Sequence, residues 1–411
     1  MRYGLIGEKL GHSFSREIHE KLGRYEYEIV ELAADKLPGF LEQKNFDGIN
    51  VTIPYKQAVI PYLDEISDSA KEIGAVNTIV NRNGKLTGYN TDASGLKMLM
   101  NRAGADPAGR TVMIAGSGGT SRTAEWVARD MGASQVVRLS RSGRNGAVTY
   151  ETAYEKYAGA EILINTTPSG MYPDIEGMPV DLSRFSCIES VIDVIYNPLR
   201  TGLVSGARKK GIRAENGLYM LVAQAMQAAE LFTGTPADDE ETERIYREVL
   251  AEKSSIVLVG MPGSGKSTVG RILAGQLGRD LIETDEMIKL ETGMEIPEIF
   301  DRYGETYFRD LESRMIYRSS ETGGKIISTG GGAVLRPENT DNLRRNGTIV
   351  FLDRPPEELI PTDDRPLADS MDKILLLYEK RYPLYTGAAD IRIRVCGTPE
   401  ETADMIWRTM H

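Results

Sequence analysis

The sequence predicts an α/β chain built on doubly wound parallel sheets and carrying two nucleotide-type sites. Short apolar runs rich in Val, Ile and Leu alternate with helical patterns along the chain. Several of those runs lack polar alternation, as strands covered on both faces by helices do. Two glycine-rich strand-to-helix turns, near residues 116 and 260, imply two separate sites. At 411 residues the chain is long enough for two or three domains, each with a core of its own.

The expected strands are Val112–Ala115, Gln135–Leu139, Glu161–Ile164 and Val191–Val194, then Ile256–Val259, Ile326–Ile327 and Ile349–Leu352. Between the two sets, Pro236–Leu250 reads as a helix, because acidic residues crowd its first turn and Ile245, Tyr246, Val249 and Leu250 make one apolar stripe. That stripe is expected to pack back on the first domain, leaving Ala251–Ser255 as a linker without spacer composition. No internal repeat interrupts this order.

Charge and rare residues narrow the function. Lysine and arginine number 49 against 60 acidic residues, a formal charge of −11, which argues against nucleic acid and acidic membrane surfaces as partners. The longest uncharged apolar stretch, Gly217–Ala229, falls short of the roughly 20 residues of a membrane helix. The amino terminus meets a charged pair, Glu8 and Lys9, before any signal-peptide run builds up, so a cytoplasmic protein is expected. Two distant cysteines, Cys187 and Cys396, form neither a disulfide framework nor a metal spacing. With only His12, His19 and His411 present, acid–base chemistry must use Lys, Asp, Glu or Tyr.

The first turn, Gly116-Ser-Gly118-Gly119-Thr120-Ser121-Arg122, follows a strand and opens a helix, the context of a dinucleotide cradle. Ser121 stands at the third glycine position, so a purely structural turn is the bland alternative. After the next strand the chain reads Leu139-Ser140-Arg141-Ser142-Gly143-Arg144, where an NAD site would carry a carboxylate. Arg141 and Arg144 therefore favour a 2′-phosphate and hence NADP(H), against two merely solvated arginines.

Upstream lie Gly11-His12-Ser13-Phe14-Ser15, Asn50-Val51-Thr52-Ile53-Pro54-Tyr55-Lys56, Gly74-Ala75-Val76-Asn77-Thr78 and Asn90-Thr91-Asp92. Singly, Ser13 and Ser15 could cap a helix and Asn77 could hold a turn. Together they describe a polyol pocket with one lysine and one aspartate able to move a proton at a carbonyl under reduction. These segments, with Asn165–Met171, Asp193–Thr201 and Asn216–Ala225, resemble shikimate dehydrogenase over about residues 1 to 250. The resemblance implies Lys56 and Asp92 as the catalytic pair, and Ser13, Ser15, Thr52, Asn77, Tyr196 and Gln224 around the substrate. It implies Gly116, Gly118, Gly119, Thr120, Ser140, Arg141, Arg144 and Gly217 as cofactor contacts. Arg16 replaces the family's usual proline, and Ser140 its usual asparagine before the arginine.

The second turn is a complete G-x-x-x-x-G-K-[ST] loop, with Gly260, Gly263, Ser264, Gly265, Lys266, Ser267 and Thr268 between a strand and a helix. Its amides suit phosphates, Lys266 the terminal pair, and the Ser267 hydroxyl Mg2+. The loop alone leaves kinase, ATPase and GTPase open, but no guanine-specifying N-K-x-D follows. Instead come Glu283-Thr284-Asp285, Phe308-Arg309-Asp-Leu-Glu312, Thr329-Gly330-Gly331-Gly332, Arg365-Pro366-Leu367 and Arg381-Tyr382-Pro383. This pattern resembles shikimate kinase over about residues 254 to 411. By that resemblance Asp285 engages the accepting hydroxyl, Arg309 and Arg381 clamp a carboxylate, Gly331 and Gly332 give backbone contacts, and Arg365 comes from the lid over ATP. Glu283 stands where the family has an aspartate near the magnesium, and the lid is several residues short of the family norm.

The resemblances imply a two-lobed dehydrogenase with a Rossmann-type NADP lobe, followed by a P-loop kinase with a parallel sheet. The expected domains are 1–253, with a substrate lobe of 1–100 plus 217–253 and an NADP lobe of 101–216, and 254–411. The expected function is reduction of 3-dehydroshikimate by NADPH, then phosphorylation of shikimate by ATP. The rival readings are a sensor that keeps both pockets without turnover, and an NAD-linked quinate dehydrogenase fused to a small-molecule kinase. The oligomeric state is left open.

Overall fold

The computed structural model describes residues 2–10, 14–144, 146–359 and 371–410. The chain divides into two compact units, Met1–Tyr196 with Thr201–Val249, and Asn197–Arg200 with Leu250–His411.

The first unit holds two sheets. Strands β1 (Tyr3–Gly7), β2 (Tyr27–Glu31), β3 (Gly48–Val51), β4 (Glu65–Ile66), β5 (Thr78–Arg82) and β6 (Lys85–Tyr89) make a six-stranded sheet in the order β2-β1-β3-β5-β6-β4. It is mixed: β1 runs parallel to β2 and β3, whereas β5 is antiparallel to both β3 and β6. The β5–β6 hairpin turns on Asn83 and Gly84, both at positive φ (54° and 85°), as a two-residue turn matching strand twist requires. None of these strands was among those expected, and the doubly wound parallel pattern does not extend to this sheet. β2 buries only Tyr27 fully, so no continuous apolar run marks it, while β1 and β3 are almost wholly buried but short and broken by Gly4, Gly7, Gly48 and Asn50.

Strands β7 (Thr111–Ala115), β8 (Gln135–Leu139), β9 (Ile162–Asn165), β10 (Ser190–Asp193) and β11 (Arg213–Glu215) form an all-parallel sheet, ordered β11-β10-β9-β7-β8. The four expected strands lie here within one residue of their read bounds; polar β11 was not expected.

The second unit is one parallel sheet of β12 (Ser255–Val259), β13 (Leu281–Glu283), β14 (Ile326–Ser328), β15 (Gly347–Asp353) and β16 (Ile391–Arg394), ordered β13-β14-β12-β15-β16. Alternation along β12 shows why its sequence is apolar throughout. Val257 and Val259 enter one core with Ile327 and Phe351, while Ile256 and Leu258 enter the other with Val350 and Leu352. The helix between the units spans Asp239–Lys253 and buries Ile245, Tyr246 and Val249, with Tyr246 against Tyr219. It runs three residues beyond Leu250 and β12 starts at Ser255, so three of the five expected linker residues are helical and only Ser254 lies between the two elements. Among the described residues no helix is long and apolar enough to cross a membrane.

Two buried titratable groups in the first unit act oppositely with pH. His19 is stacked on Tyr27 and shares a 2.7 Å hydrogen bond with Tyr25; burial pushes its pKa down to about 3 from 6.5. Below pH 6.5 the unfolded chain therefore takes a proton that the folded chain refuses, and stability is lost at up to about 1.4 kcal/mol per pH unit. Asp193 accepts from Asn165, Ile195 and Thr201, but burial raises it from 3.8 to about 6. Between those values the folded chain holds the extra proton, so Asp193 adds stability as pH falls. In urea denaturation, His19→Phe is expected to flatten the loss of stability between pH 6 and pH 4, and Asp193→Asn to steepen it.

Candidate active sites

The first site begins where β3 ends. Lys56 lies in the turn after Thr52, and its carbonyl accepts from Val76 N at 2.8 Å, which fixes the turn against the segment leading to Asn77. The facing helix, Thr91–Arg102, is capped by Asn90, whose side chain accepts from Ala93 N at 3.1 Å. This cap sets Asp92 in the first turn, where a carboxylate also suits the helix dipole. Lys56 Nζ donates to Asp92 Oδ2 at 2.5 Å, with side-chain exposures of 18% and 12%.

Lys56 is also on the wall of a cavity of about 1000 Å³, whose other wall is the glycine turn. Gly116 has φ +126°, and a Cβ there would fall 2.3 Å from Thr166 Oγ1. Gly118 and Gly119 are different: nothing lies within 4 Å of a Cβ on either, so their backbone is bare toward the cavity at the start of helix Gly119–Asp130. Ser121 is buried and donates to Gly118 O at 2.7 Å, closing the turn by a hydrogen bond where the usual motif has a third glycine. Thr120, Ser140 and Arg141 complete this wall, and Ser140 Oγ accepts from Gly143 N at 3.0 Å. Arg144 is exposed and does not line the cavity.

The remaining first-site residues lie off this wall. Asn77, Thr91 and Gln224 cluster: Thr91 N donates to Asn77 Oδ1 at 2.7 Å, Asn77 Nδ2 to Thr91 Oγ1 at 3.1 Å, and Thr91 Oγ1 to Gln224 Oε1 at 3.4 Å. Ser15 starts helix Ser15–Leu22, and Thr52 N donates to Ile6 O at 3.0 Å. Tyr196 meets the Phe14 ring at 5.1 Å, and burial raises its hydroxyl pKa. Gly217 has a packing reason of its own, since a Cβ would sit 2.1 Å from Val194 O. Ser13 lies outside the described residues.

The second site surrounds a cavity of about 620 Å³. Gly260 has φ +152° and Gly265 φ +94°, and a Cβ on Gly260 would meet Leu352 O at 2.8 Å. Lys266 opens helix Lys266–Leu277 and donates to Gly260 O and Met261 O, each at 2.9 Å. Gly263, Gly265, Ser267, Thr268, Glu283 and Asp285 line the cavity, whereas Ser264 is wholly buried beneath the loop.

The far wall carries the arginines. Arg309 donates to Glu312 Oε2 at 2.7 Å and to Glu305 at 3.1 and 3.2 Å. Glu312 is fully buried; burial raises its carboxyl pKa, opposed by the neighbouring Arg309. Arg381 donates to Gly331 O at 3.1 Å, and the Tyr385 hydroxyl donates to the same oxygen. The glycine triplet follows from these neighbours. A Cβ on Gly330 would lie 2.6 Å from Asp285 Oδ1 and 2.7 Å from Glu312 Oε1, one on Gly331 2.9 Å from Pro262, and one on Gly332 1.9 Å from Arg309 Nη1. Arg365 lies outside the described residues.

Comparison with known proteins agrees with both halves. Residues 5–79 match the family model "Shikimate dehydrogenase substrate binding domain", and residues 262–411 the model "Shikimate kinase". The NADP(+) shikimate dehydrogenase of Clostridium perfringens is 36% identical over 271 residues, covering 60% of this chain and 97% of the relative. The chain belongs to the shikimate dehydrogenase family. Its carboxyl-terminal part is a shikimate kinase P-loop domain. Among solved structures, shikimate dehydrogenase 1 of Peptoclostridium difficile aligns with a TM-score of 0.56 at 35% identity, covering 61% of this chain and 98% of that one. The Thermus thermophilus shikimate 5-dehydrogenase in complex with NADP(H) and shikimate aligns at 0.54 with 31% identity, covering 60% and 99%.

Within the dehydrogenase half, the cavity wall also holds Arg122, Tyr150 and Met178, which the sequence reading passed over. Arg122 had a signal, its place directly after the turn; Tyr150 and Met178 come from distant segments and had none. In the kinase half Phe300, Phe308 and Glu312 belong to the wall; Phe308 and Glu312 lie in the segment around Arg309 but were given no role, and Phe300 had no cue. Ser267 and Glu283 offer hard oxygen donors beside the P-loop, and among the described residues no group of three or more His, Cys, Asp or Glu could cage a metal. This donor set fits Mg2+ as nucleotide enzymes hold it, with few protein ligands and the rest from phosphate and water.

The clash at Gly332 gives a direct test. Gly332→Ala is expected to drive Arg309 off Glu312 and lower the stability of the kinase half by about 3 kcal/mol in denaturant titration, the cost of breaking a buried pair. Gly275→Ala, in the exposed interior of helix Lys266–Leu277 with open space around it, is expected to leave stability unchanged or raise it by up to about 1 kcal/mol.

Proposed function

We infer that the chain catalyses two consecutive steps on one carbon: reduction of the 3-keto group of 3-dehydroshikimate by NADPH, and transfer of the ATP γ-phosphoryl to the hydroxyl so formed. The observation that carries the reading is the pairing of each bare glycine turn with its own reactive set, Lys56–Asp92 at the first and Lys266–Asp285 with two arginines at the second. Residues 1–253 are assigned to the dehydrogenase and 254–411 to the kinase, both placed in the cytoplasm.

In the first site NADPH, when bound, supplies the hydride. Lys56, held by Asp92, gives the ketone oxygen its proton as charge develops there, and Asp92 keeps the lysine aimed. Asn77, Thr52, Ser13, Ser15, Tyr196 and Gln224 orient the ring, and Arg141 takes the 2′-phosphate in a bidentate pair, with Arg144 as a further cation nearby in sequence.

In the second site Lys266 and the loop amides hold the ATP phosphates, while Ser267 and Glu283 hold Mg2+, which neutralises phosphate charge. Asp285 takes the proton of the attacking hydroxyl. Arg309 and Arg381 hold the ring carboxylate, and Gly331 and Gly332 supply backbone contacts beside them. Arg365 is assigned to the lid over ATP.

Each half is separately testable. Lys56→Ala is expected to lower dehydroshikimate reduction about a thousandfold while phosphorylation of shikimate stays within twofold; Lys266→Ala is expected to do the converse. A single change that silenced both activities in a folded chain would contradict two independent sites. For cofactor choice, Arg141→Ala is expected to raise the KM for NADPH about thirtyfold and to leave that for NADH nearly unchanged; equal losses for both would remove the 2′-phosphate role.

A further inference from the structure

A buried chain of hydrogen bonds links Tyr27 to the cluster of Asn77, Thr91 and Gln224. The antiparallel register of β3 and β5 sets Asn50 opposite Thr78. Tyr27 OH donates to Asn50 Oδ1 at 2.6 Å, Asn50 Nδ2 to Thr78 Oγ1 at 3.0 Å, and Thr78 Oγ1 lies 3.2 Å from both Asn77 Oδ1 and Thr91 Oγ1. Thr91 Oγ1 in turn reaches Gln224 Oε1. All six residues are buried.

Each amide in the chain is anchored by a backbone group whose polarity is fixed. Asn50 Nδ2 faces Asn77 O at 3.4 Å, so Oδ1 must face Tyr27. Asn77 Oδ1 accepts from Thr91 N, so its nitrogen faces the Thr91 hydroxyl. Gln224 Nε2 donates to Leu221 O at 2.8 Å, so Oε1 faces Thr91. The Thr78 hydroxyl accepts from Asn50 Nδ2 and donates to Asn77 Oδ1 or Thr91 Oγ1; the Thr91 hydroxyl accepts from Asn77 Nδ2 and has Asn77 Oδ1 at 3.3 Å and Gln224 Oε1 at 3.4 Å as acceptors. Within these bonds the Asn77 and Gln224 amides each use one N–H hydrogen and keep a second.

We propose that Tyr27, Asn50 and Thr78 are positioning residues that hold the Asn77 amide oxygen turned toward Thr78, so that Asn77 meets the ring acid as an N–H donor and selects a ligand presenting oxygen lone pairs. His19, stacked on Tyr27 at 3.9 Å, holds the first donor in place, and burial keeps the Tyr27 hydroxyl protonated well above its ordinary range. The inference rests on the proposed dehydrogenase reaction and adds the source of its ring recognition.

The test is steady-state kinetics on the full chain with Thr78→Val, which keeps the shape and removes the hydroxyl, and Thr78→Ser, which restores it. Expected for Thr78→Val is a rise of about tenfold in the KM for dehydroshikimate, with the KM for NADPH and the kinase activity of the same chain within twofold. Thr78→Ser should return the KM to within about threefold of the parent. A Thr78→Val chain indistinguishable from the parent would overturn the inference, as would equal losses for dehydroshikimate and NADPH or a failure of Thr78→Ser to restore. A parent chain that does not oxidise NADPH with dehydroshikimate would instead sink the functional reading itself, and this inference with it.

Discussion

Everything in this molecule depends on two places where the main chain, not the side chains, must make the binding surface. At Gly116 and Gly260 the backbone takes a φ that side chains disfavour, and the space a Cβ would need is already filled by Thr166 and by the Leu352 carbonyl. Each such glycine ends a fully buried central part of a parallel sheet and feeds a helix whose first amides point back over the turn. The sheets are therefore the rigid mounts of the sites. Sheet order follows the same logic: β7 and β12 are interior strands with neighbours on both sides, so the turn after each is fixed from left and right.

What was legible in the sequence and what was not divides along burial. The central strands of the two parallel sheets are covered on both faces, so their apolar runs stand out and their bounds were readable to within two residues. The six-stranded sheet is mixed, and its strands are either partly exposed, as β2 is, or interrupted by glycine and asparagine, as β1 and β3 are, so no run marks it, although Asn83-Gly84 is a hairpin signal that could have been read. In the sites, residues tied to a compact local motif were legible: Lys56, Asp92, the two glycine turns, Arg309 and Arg381. Contacts assembled from distant segments were not. Nothing near Thr78 in sequence points to Asn50 or Thr91, and nothing near Gly332 points to Arg309; each pairing is created by strand register or helix packing.

The two cavities solve the problem of holding a charged, hydroxylated ring differently, and the reacting charge explains why. Around its ring-binding residues the first side carries one Lys–Asp pair with neutral amides and hydroxyls, its arginines Arg122 and Arg141 standing on the glycine-turn wall. Reduction moves a hydride to carbon and a proton to oxygen, so charge is transient and one well-held lysine suffices. The second side must hold a nucleotide triphosphate and a carboxylate together, several negative charges within one cavity. It answers with Lys266, Arg309 and Arg381, and keeps those cations from repelling one another by interleaving Asp285 and Glu312.

That interleaving explains the glycine triplet better than flexibility does. Gly330, Gly331 and Gly332 each face a different neighbour: two carboxylates, the Pro262 ring and the Arg309 guanidinium. Any side chain on this segment would push apart groups that must stay within a few ångströms for their opposite charges to offset desolvation. Arg381 and Tyr385 then grip the Gly331 carbonyl from the far side. The segment is a thin partition between two charged layers, and glycine is the residue that keeps it thin.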